Sequence, residues 1–135
     1  TGSATSSAPV SLTTFSENRA RVSLPITAGT NLAQKYLDVV VTDGLTPCKA
    51  SIFTNPASGS SNATINGISF LVENGTDAAL GNVYEWRAYS AVRNTACVSM
   101  NFILYSSNNG LPAFDKTAES AVFDTLMSTF GWTGQ

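Results

Sequence analysis

Apolar and polar residues alternate along most of this chain, and the period becomes helical only near its end. Val22, Leu24 and Ile26 occupy every second position of residues 20–26, the pattern of a half-buried strand, with Pro25 marking an edge or a strand end. Residues 36–42 (YLDVVVT) are apolar and β-branched, a second strand stopped by Asp43-Gly44 and Pro47. The sharpest local signal is ATINGISF at residues 63–70. Asn-Gly between alternating strands favours a type I′ turn, because both central residues need positive φ. That turn sets Ile65 opposite Ile68 and Ala63 opposite Phe70, four side chains on one face.

A second hairpin pairs residues 83–92 with 96–105. A two-residue loop at Arg93-Asn94 would oppose Arg87 to Met100 and Glu85 to Phe102. A three-residue loop, Arg93-Asn94-Thr95, opposes Trp86 to Phe102, Tyr84 to Leu104 and Ala88 to Met100. Burial favours the latter, since a slip of one residue turns a whole strand over. Glu85, Arg87, Tyr89, Ala91, Cys97, Ser99 and Asn101 are then expected on the less buried face. Residues 55–61 and 106–111 read as loops. Pro112 and the N-cap candidate Asp115 then open a helix in which Val122, Phe123, Leu126, Met127 and Phe130 recur at helical spacing; Gly131 stops it. The expected fold is α+β, an antiparallel sheet of five to six strands packed against one long C-terminal helix lying on Trp86 and Phe102.

Residues 1–14 are rich in Ser, Thr and Ala and read as a leader or an extended strand, with residues 15–135 forming a single globular α+β domain. Thr1 reads as the start of a mature or trimmed product. Val10 and Leu12 alternate with small polar residues, the pattern of a donor strand that could lie on its own domain or on a neighbouring copy.

A length of 135 residues suits one domain. Charged residues make up 12%, about half the usual share, with small polar residues in their place. Net charge is −2, and the seven Lys and Arg are scattered. Without a basic patch to displace counterions from phosphates, nucleic acid is excluded as a partner and an anionic membrane surface is disfavoured. No apolar run approaches the ~18 residues of a membrane span. Cys48 and Cys97 stand far apart with no histidine anywhere, too few ligands for zinc or an iron–sulfur cluster. A disulfide is favoured over two buried thiols or a reactive cysteine, and it implies an oxidising, extracellular or cell-surface setting.

The absence of histidine removes Ser–His and Cys–His nucleophile pairs. Lys35, Lys49 and Lys116 sit in polar surroundings, where solvation is favoured over a serine–lysine pair. Asp38, Asp43, Glu73, Asp77 and Glu85 show no spacing that brings a pair together for glycoside chemistry. Glu73, Asn74 and Asp77 offer oxygen ligands but not the periodic spacing of an EF-hand, so neither a metal nor another cofactor is expected. Arg87 and Tyr89 form a candidate ligand face, and Asn62 and Asn74 head two glycosylation sequons, Asn62-Ala63-Thr64 and Asn74-Gly75-Thr76.

Residues 32–132 carry a cysteine in each half, TINGISFLVEN at 64–74, Tyr84-Glu85-Trp86 before the second cysteine, and Ser128-Thr129-Phe130-Gly131-Trp132 near the end. In these features the chain resembles domains of bacterial secreted proteins and lipoproteins without an assigned activity. Its order of strands, cysteine-bearing strand and closing amphipathic helix is similar to the PsbP-like fold of the extrinsic photosystem protein. The resemblance implies fold and compartment and brings no catalytic residue. The expected function is therefore a non-catalytic extracellular or cell-surface domain in surface assembly or display, with other copies of itself or cell-surface components as partners. A filament subunit with an N-terminal donor strand is the specific form, and a small-ligand or glycan-binding module of a secreted lipoprotein is the alternative.

Overall fold

The computed structural model describes residues 11–16, 18–53 and 56–132. Seven strands precede one helix: β1 (Ser11–Ser16), β2 (Arg19–Ser23), β3 (Leu32–Asp43), β4 (Gly59–Ile65), β5 (Ile68–Ala79), β6 (Asn82–Arg93), β7 (Ala96–Ser106) and α1 (Lys116–Ser128). They form a single sheet in the order β1-β2-β3-β7-β6-β5-β4, every neighbouring pair antiparallel. Strands β2 to β7 match the upper end of the expected number. The seventh, β1, comes from the segment read as a leader, and it pairs with β2 of its own chain, Leu12 opposite Val22. Val10, the other donor-strand candidate, lies outside the described residues.

The Asn66-Gly67 turn forms with positive φ at both residues, and Ile65 pairs with Ile68 and Ala63 with Phe70, as the pattern requires. The same turn shapes the helix end. Asn66 Nδ2 donates to the carbonyls of Ser128 and Phe130, each at 2.9 Å, satisfying groups that a helix terminus leaves open. The helix is thus 13 residues long, shorter than expected, and Phe130 lies beyond it with its ring edge against Phe70. Its start is as expected: Asp115 Oδ1 accepts from the Ala118 N–H at 3.1 Å.

The β6–β7 register differs from both sequence alternatives. The turn is Asn94-Thr95, with Asn94 at positive φ, and the partners are Arg87–Phe102, Trp86–Ile103 and Glu85–Leu104. The expected pairing of Trp86 with Phe102 is off by one, so Trp86 lies on the face away from the helix. Alternation could not choose correctly here because both faces are covered.

On one face, α1 packs Phe123 and Met127 on Phe70, Tyr89, Met100, Phe102 and Leu104. The other face is covered by the described residues of the crossover between β3 and β4, 44–53 and 56–58, with Ala50, Phe53 and Ala57 packed on it. Phe53 stacks on Trp86 with ring centroids 3.9 Å apart and planes 6° from parallel. Ala50 N–H donates to Glu73 Oε1 at 2.8 Å, and Cys48 is bonded to Cys97 of β7 with Cα atoms 5.2 Å apart. Gly75 stands opposite Trp86, and a β-carbon there would fall 2.5 Å from the indole, so the ring needs a glycine beneath it. Below the crossover, Ser90 donates to Ser99, Ser99 to Asn101 Oδ1, and Asn101 Nδ2 to the Asp38 carbonyl, a buried polar chain with its partners supplied. Cys97, Ser99 and Asn101 thus share this second core with Trp86, whereas Glu85, Arg87, Tyr89 and Ala91 lie under the helix; the single less buried face expected for all seven does not exist.

One buried ion pair ties the helix to β3. Lys35 Nζ lies 2.9 Å from Glu119 Oε1, both side chains almost wholly buried, and the Thr27 N–H donates to Glu119 Oε2 at 3.2 Å. Burial pushes the Glu119 pKa up, and the hydrogen bonds from Lys35 and Thr27 outweigh it and hold the carboxyl below the ordinary glutamate value. Because the folded pKa is the lower one, the pair's contribution is complete above the unfolded pKa and disappears as pH falls through the folded one. Wild type and Glu119→Gln should differ in urea midpoint at neutral pH and converge in acid. A difference independent of pH would show that the carboxylate is not the source.

Candidate functional site

The helix does not seal the sheet along its whole length. β4 begins at Gly59 opposite Asn74, so among the described residues no strand pairs with the outer side of β5 from Gly75 onward. Between this part of β5, β6 and the first half of α1 lies a cleft of about 400 Å³. Asn74, Thr76, Ser58 and Ser120 supply neutral polar groups to its wall, and Leu104 and Phe123 supply apolar surface. Hydroxyl and amide groups beside an apolar patch, in a concavity of this size, are the usual make-up of a small-molecule site.

The charges around the cleft are paired. Lys116 meets Glu85, and Arg87 Nη1 lies 3.0 Å from Asp124 Oδ1. Both pairs have an exposed partner, Lys116 at 64% and Asp124 at 72%, so neither is worth much to stability. Arg87 is held on its inner side, where Nη1 donates to the Tyr89 hydroxyl at 3.4 Å and the guanidinium carbon stands 5.9 Å from the Phe123 ring centre.

Of the ligand face read from the sequence, Arg87 therefore lines the cleft, while Tyr89 does not face outward. Its ring is buried, edge-on to both Phe70 and Phe102, because the true register turns it under α1. Tyr84, expected to be buried, is 39% exposed and lies against Tyr105 with centroids 4.5 Å apart. Asn62 is exposed on the edge strand β4, and Asn74 is exposed at the cleft, its side chain beside Gly59. Glu73 and Asn74 are consecutive on a strand and point to opposite faces, so they cannot share a metal with Asp77, and the described residues hold no cluster of three or more metal-ligating side chains. Lys116 and Ser120 were the members of the cleft hardest to foresee. Their shared helix face, four residues apart, was the one available signal.

Asp38 marks a second polar centre on the crossover face. It is 0% exposed; Arg21 grips it through Nε and Nη2 at 2.7 and 3.0 Å, and Arg19 adds a bond at 2.9 Å. The Arg21 guanidinium also lies 3.9 Å over the Tyr36 ring. Burial pushes the Tyr36 pKa above its usual value, against the pull of Arg21. A recess of about 180 Å³ adjoins these residues, with its two arginines already engaged by Asp38.

No known protein family, curated protein or solved structure matches the chain. Among the described residues, no helix is long and apolar enough to cross a membrane.

Proposed function

We propose that this chain is a non-catalytic extracellular or cell-surface domain that binds a small hydroxylated ligand, of glycan type, in the cleft between α1 and the β5–β6 strands. The cleft itself carries this reading: neutral donors and acceptors on Asn74, Thr76, Ser58 and Ser120 converge beside Leu104 and Phe123, while the charges are internally paired. A sugar presents that combination, hydroxyls at its rim and C–H groups on its face. The disulfide supports an oxidising compartment. Screening the protein against a glycan array, with Thr76→Trp to fill the cleft from an exposed position, tests it. The reading requires a bound glycan whose affinity falls at least about tenfold in the variant, the scale of a lost set of buried contacts. An array with no ligand, or one indifferent to Thr76→Trp, would refute it.

Assembly through exchange of β1 between copies is the second reading. It is favoured by the position of β1 at the sheet edge, where its outer side has no described partner strand. The pairing of β1 with β2 of its own chain favours the ligand-binding reading over it. Deleting residues 1–16 and comparing sedimentation separates the two: loss of a self-associated species would support exchange.

A further inference from the structure

Resting on the ligand-binding reading above, we infer that the ligand of the cleft carries a carboxylate, as in a uronic acid or other acidic sugar, and that Arg87 receives it. A guanidinium presents five N–H donors in a planar fork. At Arg87, both hydrogen bonds to described residues, to Asp124 and to Tyr89, leave from Nη1. The Nε–Nη2 edge makes no hydrogen bond to a described residue, and the side chain is 31% exposed. That edge has the spacing of a carboxylate and binds one through two parallel hydrogen bonds.

The surroundings favour an anion over a neutral partner. Arg87 lines the cleft and also the shallower recess of about 310 Å³ that continues along α1 past Lys116, Thr117, Ala121 and Asp124. The Asp124 carboxylate now on Arg87 is mostly in solvent and is held by a single hydrogen bond of 3.0 Å, so an incoming carboxylate displaces it at little cost. Lys116 and Glu85 neutralise each other on the same wall, so once Asp124 is displaced the Arg87 guanidinium is the unbalanced charge there. The Tyr89 hydroxyl and the Phe123 ring fix the guanidinium from behind, so little side-chain freedom is lost on binding. Asn74, Ser58 and Ser120 line the cleft where the rest of the ring would lie.

Titration of the ¹⁵N-labelled chain with methyl glucuronide and with methyl glucoside tests this. The two sugars share a ring and differ in the acidic group. Shifts should centre on Asn74, Thr76, Arg87 and Ser120, with the glucuronide binding at least about tenfold tighter, as expected for a charge-assisted, two-pronged contact. Arg87→Gln should erase that difference, Arg87→Lys should recover only part of it, and Asp124→Asn should tighten glucuronide binding about threefold by removing the competing carboxylate. Equal affinities for the two sugars at the cleft would overturn the inference and leave the ligand-binding reading standing. Glucuronide binding indifferent to Arg87→Gln, in a variant with unchanged circular dichroism, would also overturn it. Binding of neither sugar at millimolar concentration would count against both.

Discussion

Replacing Arg19 and Arg21 together with methionine should cost more stability than replacing Asp38 with asparagine. The reason is an asymmetry of burial. Asp38 is wholly enclosed, whereas the side chains of Arg19 and Arg21 are 37% and 28% exposed. Without the arginines a buried carboxylate keeps no charged partner among the described residues, which costs about 3–5 kcal/mol. Without the carboxylate, two half-exposed guanidiniums turn to water and the loss is nearer ~2 kcal/mol, that of the charge-assisted hydrogen bonds. Urea unfolding of the two variants measures the order. A larger loss in Asp38→Asn would mean that the arginines, not the aspartate, depend on the pairing.

The second large effect is expected from the disulfide. Cys48 and Cys97 are 49 residues apart, and a cross-link of that span stabilises by about 4 kcal/mol on the chain-entropy account. That is a large part of the ~5–15 kcal/mol of a typical domain. Its local role is more specific, because Cys48 anchors the crossover that places Phe53 on Trp86. Cys48→Ser with Cys97→Ser should therefore lower the urea midpoint and shift native tryptophan emission to the red as water reaches the indole. An unchanged midpoint would show that Glu73 and the Phe53 stack hold the crossover unaided.

What was legible in the sequence and what was not divide on physical lines. The Asn66-Gly67 hairpin, the Asp115 cap and the Cys48–Cys97 pairing were readable because each depends on local geometry or on a short inventory of partners. The register of β6 on β7 was not. It was inferred from the premise that one face is buried, and the crossover buries the other through Trp86, Ala88 and Ile103. Once both faces are covered, polar residues cease to report exposure: Glu85 and Arg87 lie under the helix edge in ion pairs, and Tyr89 is core. The same error hid the cleft. Arg87 was a candidate for the ligand face, yet its neighbours Lys116 and Ser120 come from a helix whose placement over β5 and β6 depends on contacts nearly 30 residues away. The length of α1 was equally out of reach, since the group that meets its last carbonyls is Asn66, on a distant turn.

The position of Arg87 at the cleft, and with it the whole functional reading, depends on which side of β6 faces the helix. Nuclear Overhauser contacts of the Trp86 indole decide this most directly. The ring protons should show contacts to Phe53 and to the Gly75 α-protons, and none to the side chains of Phe123 or Met127. Contacts from Trp86 to Phe123 or Met127 would turn β6 over, send Arg87 to the opposite face and remove the cleft's charged wall.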